Sequence, residues 1–167
     1  SDCLRRLQVD RRVACRTIVL QELSPSPPLQ PGMVPMRHFP PRRLVCLTEE
    51  TVETLYMLGE QDRIVGVSGY AVRPPEVRQK PRVSAFTSAR LDKILELEPD
   101  LVLAFSDLQA DIARDLGKAG VAVHLFNQRD LAGIFAMIRT VGALIGESDK
   151  GDALARLLEA RVARIAE

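Results

Sequence analysis

Hydrophobic residues along the chain form short continuous runs, separated by longer stretches in which they recur with helical spacing. Four of the runs predict β-strands: Leu44–Leu47, Ile64–Val67, Leu101–Ala104 and Ala122–Phe126. Arg82–Ser84 is a further short extended segment. The run Leu101–Ala104 has no polar position, which is typical of a parallel strand covered by helices on both faces.

The stretches between the strands predict helices with recognisable ends. Thr48 is expected to cap the first helix, and Gly59 to end it. The segment Ser106–Gln109 matches a capping box for the helix that follows the central apolar strand, and Asp130 is expected to open the next helix. The last helix begins near Ser148. Strands that alternate with helices predict an α/β fold with a parallel sheet and helices on both faces.

One predicted helix has a particularly clear apolar face. Its members recur three or four positions apart and are expected to face the core: Ile134, Met137, Ile138, Val141, Leu144 and Ile145.

A different local signal lies before the central strand. There Pro99 cannot extend a helix, and it biases Glu98 away from helical backbone angles.

Composition divides the chain into unequal parts. Residues 1–43 hold seven of the eleven prolines, and eight basic residues against three acidic ones. Such a segment favours extended chain without a core face, so we expect residues 1–40 to be a disordered leader. Residues 41–147 are expected to form one α/β lobe, and residues 148–167 to begin a further long helix.

The charge and motif content exclude several classes of function. A net charge of +1 gives no overall field toward nucleic acid, and no apolar run is long enough to span a bilayer. Nucleotide-binding glycine fingerprints and the nucleophile elbow are absent. His38 and His124 cannot make a first-row metal site unless carboxylates supply the remaining ligands, and Cys46 is expected to be a buried, inert thiol. We therefore expect no catalytic residues, no bound metal and no cofactor.

The loops at the carboxyl ends of the predicted strands contain aromatic and hydroxyl residues. Parallel strands end at a common edge, where open α/β sheets bind their ligands. Aromatic rings beside hydroxyl groups suit a large, flat, partly apolar ligand. The candidate ligand-binding residues in these loops are Thr48, Ser68, Tyr70, Phe86, Thr87, Phe105 and Ser106.

Several segments together resemble one family. They are Arg43–Thr48 with Glu53, then Gly59, Asp62–Tyr70, Pro74–Pro75, Leu91–Ile94 and Glu98–Ala104. In this combination the chain resembles the class III periplasmic binding proteins, which are the solute-binding components of ABC importers for vitamin B12, haem and ferric siderophores. The spacing is especially similar to that of the members that bind vitamin B12.

The resemblance implies a function and a set of roles. Members have two α/β lobes joined by a long helix and bind the ligand between them, so residues 148–167 would begin that helix and the second lobe would be absent here. Tyr70, Phe86 and Phe105 would line the cleft for a corrinoid such as cobalamin or another metal chelate. Asp92 would dock onto the membrane subunit of the importer. A monomer in the periplasm or another extracytoplasmic compartment is implied.

Other interpretations stay open from the sequence. A ferric siderophore or haem could replace the corrinoid as ligand. No signal peptide is visible, so a cytoplasmic corrinoid-binding module without a transport role is an alternative. An enzyme on a flavodoxin-like sheet would need a catalytic constellation, and the sequence offers neither a His–carboxylate pair nor an activated thiol.

Overall fold

The computed structural model describes residues 38–85 and 87–165. The expected leader therefore lies outside the described residues, apart from residues 38–40. Phe86, one of the candidate cleft residues, also lies outside them.

Five parallel strands form the sheet, as the hydrophobic runs predict. They are β1 (Leu44–Cys46), β2 (Ile64–Ser68), β3 (Arg82–Ser84), β4 (Leu101–Phe105) and β5 (Val123–Phe126). Their order across the sheet is β3-β2-β1-β4-β5, and every pairing is parallel. The chain thus begins in the middle of the sheet, adds two strands on one side, and then crosses to the other side.

Within the described residues, five α-helices cover this sheet. They are α1 (Glu49–Met57), α2 (Leu91–Glu96), α3 (Ala110–Lys118), α4 (Leu131–Leu144) and α5 (Ser148–Ile165). In the described part of the chain, none of them is long and apolar enough to cross a membrane.

Hydrophobic cores lie on both faces of the sheet, which confirms the prediction of helices on both sides. Successive residues of a strand point to opposite faces, so the inner strands β1 and β4 must be apolar throughout. Leu44 and Cys46 belong to the core under α1, α4 and α5, whereas Val45 and Leu47 belong to the core under α2 and α3. Burial raises the pKa of Cys46 to about 12, so its thiol stays protonated at neutral pH, as expected of an inert cysteine.

The turn before β4 is held by hydrogen bonds that join the side chains of Asp100 and Arg43 to nearby backbone groups. Glu98 has a left-handed backbone with a φ of 44°, outside the helical region as Pro99 predicts. The carboxylate of Asp100 accepts hydrogen bonds from the backbone N–H groups of Arg42 and Arg43, at 2.8 and 2.9 Å. The Arg43 guanidinium in turn donates to the carbonyl of Leu97 at 2.7 Å. The start of β1 is thereby tied to the start of β4.

Helix α5 lies against α4 at a glycine contact. A methyl group added at Gly142 would lie 2.8 Å from the Cα of Gly151, so the two backbones approach as closely as glycine permits. Beside this contact, Arg139 of α4 donates to Asp152 at 3.0 Å and to Glu159 at 2.8 Å on α5. The predicted start of the last helix at Ser148 is confirmed, and its first half is attached to the α/β lobe.

Two details of the predicted helices are wrong. Thr48 precedes α1, but its side chain makes no capping hydrogen bond; instead the Thr51 hydroxyl donates to the Thr48 carbonyl at 3.2 Å. Ile134, expected on the buried face of α4, is 38% exposed. It lies in the first turn of that helix, at the carboxyl edge of the sheet and before the stretch of α4 whose apolar residues enter the core. Asp130 does cap α4, because its carboxylate accepts from the Gly133 N–H at 2.7 Å.

Candidate functional site

The strand order reverses between β1 and β4, and ligands of open α/β sheets bind outside the carboxyl ends of strands at such a reversal. The loops after β1 and β4 are therefore adjacent, with the loop after β2 on one side and the loop after β5 on the other. The sequence-predicted candidate loops thus share one edge.

A buried glutamine joins the two strand ends at the reversal. Gln109 is fully buried. Its side-chain N–H donates to the Leu47 carbonyl at 3.2 Å, and its side-chain oxygen accepts from the Phe105 N–H at 2.9 Å. The Ser106 hydroxyl accepts from the Leu108 N–H at 3.3 Å, so both members of the predicted capping box bond one residue earlier than in a standard box. The shift accompanies a first turn of 3-10 helix over Asp107–Gln109, and it positions Phe105.

Two of the three candidate rings are described, and both reach the edge. Tyr70 is 57% exposed in the loop after β2, and Phe105 is partly buried at the end of β4. Strand β1 lies between them, so the two strand ends are separated by about 10 Å, which is two strand spacings. Thr87 is exposed in the loop after β3. Rings and loop together offer a broad, shallow wall.

Three of the candidate hydroxyl residues are buried, whereas residues that contact a ligand are expected to be exposed at the edge. Thr48, Ser68 and Ser106 are each only 1% exposed. The Ser68 hydroxyl accepts from the Tyr70 N–H at 3.3 Å, and Ser106 bonds its own loop. The Ser68 and Ser106 side chains thus hold the turns after β2 and β4, and the Thr48 hydroxyl lies 3.4 Å from the Thr51 hydroxyl after β1. The sequence cannot show this, because Ser and Thr hydroxyls serve both ligands and local backbone groups.

A groove of about 490 Å³ opens beside Phe105, between the start of α1 and the start of α4. Its floor includes the exposed apolar side chains of Leu131 and Ile134. The residues that line it are Glu50, Phe105, Gln128, Arg129, Asp130, Leu131 and Ile134. Of these residues only Phe105 is predicted as a site residue from the sequence. The signal that could have found the others is their position after a strand end: Gln128–Leu131 follow β5, and Glu50 follows β1.

Arg129 supplies the positive charge of this groove. Its guanidinium carbon lies 5.5 Å from the centroid of the Phe105 ring, within the range of a cation–π interaction. One of its nitrogens lies 3.3 Å from the Asp107 carboxylate. The groove therefore presents a guanidinium that lies over an aromatic ring.

Comparison with known proteins identifies the chain. The family model for periplasmic binding proteins matches residues 44–167. The chain belongs to the periplasmic binding protein family. A cobalamin-binding protein of Halobacterium salinarum is 30% identical over 130 residues, which are 76% of this chain and 35% of that protein.

Solved structures of periplasmic binding proteins share the fold. The vitamin B12-binding protein of Vibrio cholerae superposes with a TM-score of 0.69 at 25% identity, over 75% of this chain and 49% of that one. A haem-binding protein from Roseiflexus gives a TM-score of 0.69 at 27% identity, over 74% of this chain and 48% of that one. The chain thus spans about a third of the curated relative and about half of each solved structure.

The titratable groups of this periplasmic binding protein form no metal-binding cluster in residues 38–85 and 87–165. His124 packs against Phe126 with ring centroids 4.3 Å apart and the rings tilted by 55°, and burial lowers the pKa of its imidazole. It lies in β5. Asp92 is exposed in the first turn of α2.

Proposed function

We propose that this periplasmic binding protein is the solute-binding component of an ABC importer and that it binds a corrinoid of the vitamin B12 type. The observation that supports the proposal most directly is the aromatic and apolar carboxyl edge at the strand-order reversal. The similarity to the Halobacterium cobalamin-binding protein adds the ligand class.

The exposed side chains at the edge fit a large, partly apolar ring system. Tyr70 and Phe105 are spaced by one intervening strand, and Leu131 and Ile134 extend the apolar surface beside Phe105. Covering one such ring by a ligand is worth on the order of 1–3 kcal/mol. The exposed hydroxyl of Thr87 adds a polar contact, whereas Thr48, Ser68 and Ser106 act by shaping the loops. Phe86 remains a proposed contact from the sequence.

The domain organisation follows from the same proposal. Residues 41–147 form the ligand-binding lobe, and α5 begins the helix toward a second lobe. A second lobe would cover the opposite side of the ligand. Because a single wall cannot enclose most of a ligand's surface, this lobe by itself should bind more weakly than two lobes together. We place the protein in the periplasm as a monomer without enzymatic activity, where Asp92 docks onto the membrane subunit.

Haem is the second candidate ligand, and two observations favour it. A haem-binding protein from Roseiflexus has the same fold at 27% identity. In addition, the exposed phenol of Tyr70 belongs to a class of side chain that can ligate haem iron. A ferric siderophore would use the same edge. A cytoplasmic corrinoid-binding module without a transport role would also share it.

A spectral titration distinguishes these ligands. The full-length protein is titrated with cobalamin, cobinamide, haem and a ferric siderophore, and each absorption spectrum is followed to saturation. We expect the corrinoids to bind most tightly, and Tyr70→Ala or Phe105→Ala to weaken them by about 5- to 150-fold.

Phe39→Ala is the matched control, because Phe39 is an almost fully exposed ring on the amino-terminal side of β1. It should leave corrinoid binding unchanged. Tight haem binding with no corrinoid binding would replace the proposal by the haem alternative. Unchanged corrinoid affinity in both ring variants would remove the carboxyl edge as the site.

A further inference from the structure

Two residues that line the groove beside Phe105 carry hydrogen-bond acceptors that the protein does not use. The side-chain oxygen of Gln128 is buried and has no hydrogen-bond partner. The carboxylate of Glu50 makes no hydrogen bond or ion pair with any residue that the structure describes, although it lines the same groove. A buried acceptor without a donor destabilises the protein, so a ligand that brings a donor to Gln128 recovers the lost free energy.

The charges around the groove disfavour an anionic ligand. Glu50 and Asp130 line it, and the only cation among its lining residues, Arg129, already faces Asp107 at 3.3 Å. The carboxylates of Glu50 and Asp130 in the groove and of Asp107 beside it thus outnumber the single guanidinium. A carboxylate brought by a ligand would compete with Asp107 for Arg129 and would approach two further negative charges.

A neutral carboxamide matches this arrangement better than a carboxylate. Its NH₂ group donates two hydrogen bonds, for which Gln128 and Glu50 are free acceptors. Its carbonyl oxygen accepts one from the N–H groups of Arg129 that do not face Asp107. The Phe105 ring under the guanidinium limits the directions that these groups can take.

We propose that this groove is a carboxamide-recognising subsite, which selects ligands with neutral amide groups at their periphery over ligands with carboxylates in the same places. The inference rests on the proposed function, because the amide-bearing macrocycle that fits the apolar edge is a corrinoid. It goes further by assigning selectivity between chemically similar macrocycles to Glu50, Gln128 and Arg129.

The test compares two corrinoids that differ only in these groups. Dicyanocobyrinic acid carries carboxylates around its ring, and its fully amidated counterpart carries carboxamides. We expect the full-length protein to bind the amidated form at least about tenfold more tightly, since a carboxylate brings no donor to Gln128. High salt should lower the ratio of the two affinities, because it screens the repulsion between the ligand carboxylates and Glu50 and Asp130.

Two variants assign the preference to the groove. Glu50→Gln should strengthen binding of the carboxylate form, and Gln128→Ala should weaken binding of the amidated form, each by about 3- to 10-fold. Glu76→Gln removes an exposed glutamate that does not line the groove, and it should leave the ratio unchanged. Thermal midpoints of all variants show that folding is retained.

The outcomes separate this inference from the proposed function. Equal affinity for both corrinoids would overturn the carboxamide subsite and leave corrinoid binding standing. A preference that persists unchanged in both Glu50→Gln and Gln128→Ala would also overturn it, because the selectivity would arise elsewhere. Failure of both corrinoids and of cobalamin to bind would overturn the proposed function together with the subsite.

Discussion

The contact between α4 and α5 makes a sharp prediction about two glycines. A methyl group at Gly142 would lie 2.8 Å from the Cα of Gly151 and 2.9 Å from the carbonyl oxygen of Glu147. Both neighbours are backbone atoms, so neither can turn away as a flexible side chain would. Gly117 in α3 is the matched case, because a methyl group there would meet no atom within 4 Å.

The two substitutions should change stability in opposite directions. Alanine in place of glycine in a helix favours folding by about 0.4–1 kcal/mol when the site has room. Gly117→Ala should therefore raise the free energy of unfolding by this amount. Gly142→Ala also has the helix-favouring effect of alanine, but forcing α4 and α5 apart destabilises the fold by about 1–3 kcal/mol or more. The net effect should be a loss of about 1–2 kcal/mol.

Urea denaturation followed by far-UV circular dichroism measures both changes. We expect the midpoint to rise for Gly117→Ala and to fall for Gly142→Ala, with similar slopes for all three proteins. If Gly142→Ala stabilises the protein as much as Gly117→Ala does, then α5 does not pack against the α/β lobe at this glycine contact.

Three further predictions follow from other parts of the structure. Gln109→Ala should destabilise the protein by about 2–4 kcal/mol, because it leaves the Leu47 carbonyl and the Phe105 N–H without their partner; a loss below about 0.5 kcal/mol in chemical denaturation would contradict this. Hydrogen bonds from Lys150 and Arg63 hold the pKa of Glu60 below its ordinary value, so their stabilisation should be present above about pH 4.5 and lost on further acidification. Glu60→Gln should flatten the dependence of stability on pH in this range, and an unchanged dependence would refute the role of Glu60. Asp92→Ala should spare ligand binding and weaken assembly with the importer, as measured with the cognate membrane complex; equal assembly would exclude docking by Asp92.

Most of the fold could be predicted because its signals are local. A run without polar residues, such as Leu101–Ala104, defines a doubly covered strand by itself. Gly59, Gly120 and Gly146 end three helices with positive φ, a conformation that glycine adopts without strain. Asp130 precedes a helix and caps it. Each of these features depends on neighbours in the sequence, so no knowledge of the tertiary structure was needed.

The site was less accessible to sequence reasoning because its geometry depends on distant contacts. Gln109 matches a capping residue in the sequence, yet its amide also reaches Leu47, a residue 62 positions earlier. Ile134 has the spacing of a core residue but lies where the sheet ends. The burial of Ser68 and Ser106 depends on the path of each loop. Spacing along a chain specifies which face of an element a residue occupies, and it does not specify what covers that face.

Chemical-shift mapping with cobalamin tests the central claim most directly, since it reports both whether the ligand binds and where. Backbone amide spectra of the 167-residue chain are recorded as cobalamin is added. We predict shifts confined to the carboxyl edge, at Tyr70, at Phe105–Ser106 and at Gln128–Leu131, with none at Arg42–Arg43 on the amino edge. Shifts only at the amino edge, or no shifts at millimolar cobalamin, would contradict corrinoid binding at this site.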